Sequence, residues 1–90
     1  MAAGRDGKAP RRSSVEIGTR ECALYTLVNV DAARENLREV RRHVRGDHKR
    51  RIDSTIAVLN VIAFETQQMF AIADEEAEAF VRRHRAAYPR

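Results

Sequence analysis

The sequence predicts an all-α fold: an antiparallel helical hairpin plus a shorter third helix, dimerising into a helical bundle. Three observations carry that expectation. Apolar residues recur at helical spacing along two long segments. A glycine lies between them, where a helix commonly ends in a left-handed residue. The apolar arc of the second segment is wider than two or three helices of one subunit cover, which points to a second copy.

The first segment covers about 19–45. Ala23, Leu27, Val30, Ala33, Leu37, Val40 and Val44 follow one another at 4, 3, 3, 4, 3 and 4 residues, one face of an α-helix. Gly46 is expected to end this helix, and Asp47 to cap the next.

The second segment begins near His48. Ile52, Ile56, Leu59, Ala63, Thr66, Phe70 and Ala73 form one stripe, and Val58, Ile62, Glu65, Met69 and Ile72 form another beside it. Asp53, Asn60, Gln67 and Asp74 recur every seventh residue as a narrow polar seam. Residues 23–30 and 56–64 are also rich in β-branched side chains, a strand signal. The length of the helical periodicity decides for helices.

The third segment is expected to start at Asp74, with Glu75, Glu76 and Glu78 close to its first turn and Arg82, Arg83 and Arg85 in its last. Both groups complement a helix dipole beginning there. Ala77, Phe80, Val81, His84 and Tyr88 supply its apolar face, and Pro89 ends it. One continuous helix over 48–87 is the alternative, since nothing at Asp74 forbids it.

The chain has 90 residues, 43% of them hydrophobic, which sets a single all-helical domain over 15–90. Residues 1–14, rich in Gly, Ser and charge, read as a disordered basic tail. They contain no apolar run for a signal peptide. The apolar stretch at 56–64 is interrupted by Asn60 and is too short to span a bilayer. A single cysteine excludes an intramolecular disulfide. A cytoplasmic protein without membrane association is expected.

Lys and Arg number 17 against 13 Asp and Glu, a formal charge of +4. The tail accounts for about +3 of this, so a basic site in the body requires local segregation of charge. Arg34, Arg38, Arg41 and Arg45 are spaced 4, 3 and 4 along the first helix. Like charges at that spacing cost an isolated helix about 0.2–0.5 kcal/mol per pair. Arg42, Lys49, Arg50 and Arg51 extend the run across the turn, and the last three oppose the dipole of the helix they begin. These eight cations are the candidate nucleic-acid contacts. The opposing reading is a solvated turn, or a stripe paired internally with Asp74, Glu75, Glu76 and Glu78.

Val58, Ile62, Glu65, Met69 and Ile72 are the candidate dimer or partner interface. A carboxylate buried on that stripe requires a partner or a proton. Cys22 is expected in the core. His43 and His48 lack further ligands for a metal site, and His84 is expected to pack. No nucleophile motif, phosphate loop or cofactor fingerprint is present. The expected function is therefore a non-enzymatic, dimeric regulatory or binding protein with no cofactor, contacting nucleic acid through the arginine edge. The alternative is an adaptor or anti-activator that binds a partner protein through the second helix.

Overall fold

A computed structural model describes the backbone of residues 2–85 and the side chains of residues 18–85. Helices α1 (Ala2–Arg41), α2 (Gly46–Met69) and α3 (Asp74–Arg85) follow in order, with no strand among the described residues. Helix α1 begins at Ala2 and so includes most of the 1–14 segment expected as a tail, with side chains described only from Gly18; Tyr88 and Pro89 at the far end lie outside the described residues.

The first two helices form an antiparallel hairpin, and polar contacts mark its direction. As numbering falls along α1 from Arg41 to Arg34 to Arg20, their partners rise from Asp53 to Asn60 to the carbonyl of Ala71. The break between α2 and α3 bends the chain by 117°. Helix α3 then runs parallel to α1, with Glu76 on Arg20 at one end and Arg85 on Asp31 at the other. Helix α1 is thus the spine, and both other helices pack against it.

The core sits where the three helices converge. Ala23, Leu24, Leu27 and Val28 of α1 meet Ile72 of the connection and Ala77 and Phe80 of α3, with Ala63, Phe70 and Val81 packed against them. Val28 is fully buried. Buried Thr66 satisfies its hydroxyl by donating to the Ile62 carbonyl at 2.8 Å. The stripe from Ile52 to Phe70 lies half-buried or buried on the α1 side. The helical spacing identifies Ala23, Leu27 and Val30 but not Leu24 and Val28. Their burial follows from a second neighbour, α3, on an adjacent face of α1.

An aromatic cluster extends the core. The His84 ring stacks on Phe80 at 3.9 Å, and Tyr25 meets both edge-on at about 5 Å. His84 Nδ1 lies 2.9 Å from the Phe80 carbonyl, which can only accept, so Nδ1 carries the proton. Nε2 is then free to accept from the Tyr25 hydroxyl at 3.3 Å. His84 is a packing residue, as expected.

The two connections differ from expectation in instructive ways. Helix α1 ends at Arg41 rather than near 45, closed by 3₁₀-type bonds from Arg42 to Glu39 and from His43 to Val40. Gly46 does adopt a left-handed φ of 55°, but it opens α2 instead of closing α1. The N-cap is Arg45, without a side-chain cap, and Asp47 lies in the first turn, where it accepts from Arg50.

The second connection settles the open question of continuity: α2 and α3 are separate helices. Ala71 has φ 51°. The Ile72 amide bonds the Gln67 carbonyl at 2.9 Å, and the Ala71 amide bonds the Gln68 carbonyl at 3.4 Å. This is a Schellman ending with alanine where glycine is usual. The Gln67 amide ties the turn from outside, donating to the Ile72 carbonyl and to Asp74.

Candidate functional site

Two surfaces correspond to the residues singled out in the sequence. The first is the arginine edge and turn, whose eight cations fall into three groups. Arg41 and Arg34 turn inward onto the polar seam of α2. Arg41 grips Asp53 through Nε at 2.6 Å and Nη2 at 3.1 Å. Arg34 donates to Asn60 at 2.8 Å and to Asp31 at 3.4 Å. The hydrogen bond from Arg41, reinforced by its charge and that of Lys49, holds the Asp53 carboxyl below its ordinary range. The same contact raises the Arg41 guanidinium.

Arg42 and Arg50 form the second group, paired locally with Glu39 at 3.0 Å and Asp47 at 2.6 Å. Arg38, Arg45, Lys49 and Arg51 form the third. They have no ion-pair partner among the described residues, and the three arginines are exposed. The basic surface is therefore about half the size the sequence suggests, and it is confined to the turn end of the hairpin.

The opposing expectation, that acids at the start of α3 neutralise the stripe, is corrected as well. Glu76 takes a different arginine, Arg20, in a two-pronged contact at 2.5 and 2.7 Å. That hydrogen bond lowers the Glu76 carboxyl and raises Arg20. At the other end of α3, Arg85 reaches Asp31 at 2.8 Å and also Glu35, and its guanidinium is raised chiefly by the Glu35 hydrogen bond. Asp31 thus lies between Arg34 and Arg85, linking α1 to α3 at the point where Arg34 also reaches α2. Sequence reasoning missed this network. Its signal was Leu24, Val28, Asp31 and Glu35, a second stripe spaced 4, 3 and 4 along α1.

The second surface is the outer face of α2. Val58 is 57% exposed, Val61 58%, Ile62 40%, Phe64 60% and Met69 69%. Together they present on the order of 500 Å² of surface, within the range of the largest apolar patches of single soluble subunits, with exposed Glu65 set between Ile62 and Met69. Val58, Ile62 and Met69 lie where the sequence placed them; Val61 and Phe64 widen the same face. Ile72 instead turns into the core, at 4% exposure. Glu65 is exposed, so it requires no buried partner. Neither α1 nor α3 covers this face, because both lie on the opposite side of α2.

Other candidates resolve simply. Cys22, expected in the core, is exposed; it lies one position outside the buried Ala23–Leu24 pair. His43 lies 3.3 Å from Glu39. No group of three potential metal ligands is present among the described residues. Shallow cavities of about 260 and 290 Å³ flank α3, one lined by Arg20, Glu21, Leu24 and Phe80, the other by Asp31, Ala77, Glu78, Val81 and Arg82. Neither joins a nucleophile to a base. No single helix among the described residues is long and apolar enough to cross a membrane. Comparison with models of known protein families, with characterised proteins and with solved structures finds no match to this chain.

Proposed function

We propose that this chain is a non-enzymatic binding protein whose working surface is the outer face of α2. The observation that carries the reading is the uncovered row Val58, Val61, Ile62, Phe64 and Met69. Burying apolar area contributes about 25 cal/mol per Å². Covering a patch of this size therefore supplies a gross driving force of about ten kcal/mol, from which the loss of translational and rotational freedom on association, about 4–15 kcal/mol, is subtracted. The rest of the fold isolates the face rather than using it. The seam of Asp53, Asn60 and Gln67 is engaged within the subunit, by Arg41, by Arg34 and by the turn before α3.

The test is site-specific photocrosslinking in cells. A photoreactive residue at Val61 or Phe64 is expected to give discrete protein adducts, and one at exposed Glu21 on α1 is expected to give none. Equal or absent adducts at all three positions would overturn the reading.

A second reading rests on Arg38, Arg45, Lys49 and Arg51. Exposed Arg38, Arg45 and Arg51, without ion-pair partners among the described residues, and Lys49, whose charge also acts on Asp53, gather at one end of the hairpin and suit the phosphate backbone of a nucleic acid. The inward pairing of Arg34 and Arg41 weakens this relative to the sequence expectation, and we rank it below the apolar face.

A further inference from the structure

We infer that the occupant of the α2 outer face is a second copy of this chain, packed antiparallel about a two-fold axis at Val58, with Arg51 of each copy against Glu65 of the other. This rests on the reading of that face as an interaction surface and adds its partner and register.

From Arg51 to Met69 the sequence contains three charged residues, Arg51, Asp53 and Glu65. Asp53 is held by Arg41 on the seam. The outer face therefore has one cation near its beginning and one anion near its end. Arg51, Val58 and Glu65 are seven residues apart, so they lie almost in line along the helix, drifting by only about 20° per step. The two charges are about 21 Å apart at a rise of 1.5 Å per residue, and Val58 is their midpoint.

That pattern is self-complementary in one orientation only. A two-fold axis at Val58 brings Arg51 beside Glu65 of the mate twice, and places Ser54 and Thr55 against Ile62 and Val61 of the mate. A parallel pair would set Arg51 against Arg51 and Glu65 against Glu65, both unfavourable. The antiparallel pair also keeps the two basic turns, with seven Lys or Arg against Glu39 and Asp47 over 38–51, at opposite ends of the assembly. The patch, on the order of 500 Å², is smaller than the roughly 800 Å² per partner of a standard interface, which suits a small dimer of modest affinity. Arg51 and Glu65 are both exposed and have no ion-pair partner among the described residues, so the subunit leaves both available.

Sedimentation equilibrium on the full chain tests this, with helicity by circular dichroism as the folding control. The wild type is expected to dimerise. Arg51→Glu and Glu65→Arg are each expected to weaken the dimer about tenfold, since each replaces two attractive contacts by repulsive ones. The double variant R51E/E65R is expected to restore it. In a Cys22→Ser background, Val58→Cys is expected to crosslink to its own mate with a short bis-maleimide. A dimer that Ile62→Glu disrupts, but that shows neither rescue nor the Val58→Cys crosslink, would overturn the antiparallel register and leave the interaction face standing. A monomer at about 100 µM would overturn the second copy as occupant. Cellular adducts at Val61 would then be heavier or lighter than twice the chain mass, and the face would belong to a different protein.

Discussion

Ala71 is the position where a single atom group sets the stability of the connection between α2 and α3. Its φ of 51° lies in the left-handed region, where a Cβ meets the following carbonyl at a cost of about 1–2 kcal/mol. The side chain is exposed, so removing its methyl takes nothing from the core. Ala71→Gly removes the steric cost but adds backbone freedom to the unfolded chain, worth about 0.4–1 kcal/mol. The balance is a gain of about 0.5–1 kcal/mol, or roughly 2–8 °C in Tm for a domain of this size. Backbone contacts of the turn, including the Arg20 hydrogen bond to the Ala71 carbonyl, survive the change. Thermal unfolding followed by circular dichroism reads the effect, and Ala71→Val, β-branched in the same conformation, is expected to move Tm downward. A neutral or destabilising Ala71→Gly would refute the assignment of strain to this residue, and with it the account of why the chain turns here.

Three further outcomes follow from the same structure. Val28→Ala, at a fully buried position, is expected to cost about 2 kcal/mol in chemical denaturation, from lost transfer energy and the cavity left behind. The lowered carboxyls of Asp53 and Glu76 stabilise the fold above their ordinary values of 3.8 and 4.5, and that contribution disappears as pH falls through their folded values. Asp53→Asn with Glu76→Gln is therefore expected to reduce Tm at pH 7 and to leave it nearly unchanged at about pH 2, read by melting curves across that range. If the turn cations meet nucleic acid, fluorescence anisotropy with labelled duplex is expected to show log K falling against log salt with a slope near −3 to −4 for four phosphate contacts. Replacing Arg38, Arg45 and Lys49 by Gln is then expected to flatten that slope to about −1, and an unchanged slope would remove the second reading.

Helical period and charge make much of this architecture legible in the sequence. The 52-to-70 stripe packs on α1, and the acids and arginines at the two ends of α3 mark its limits. What was not legible came from geometry that period alone does not encode. Ile72 belongs to the outer stripe only if α2 continues. The left-handed Ala71 ends the helix and re-aims Ile72 into the core. Leu24 and Val28 are core residues because α3 returns along α1, and reading α1 as a single stripe allots it one neighbour.

The fate of the arginines was written in the sequence in a form that required two segments to be read together. Arg34 and Arg41 are seven residues apart, and so are Asp53 and Asn60. In an antiparallel pair those two heptads meet, which the hydrogen bonds of Arg41 with Asp53 and of Arg34 with Asn60 display. Glu76 found Arg20 instead of the stripe because α3 runs parallel to α1, and its first turn therefore lies far from the basic turn.

The fold leaves one side of α2 uncovered, and the proposed function requires that association cover it. Methyl-resolved NMR across a dilution series measures this residue by residue. Concentration-dependent shifts or broadening at Val58, Val61, Ile62 and Met69, with Val28 and Leu27 unmoved, are what the claim predicts. Methyl spectra of those four side chains that stay constant on dilution and on addition of cell extract would contradict it.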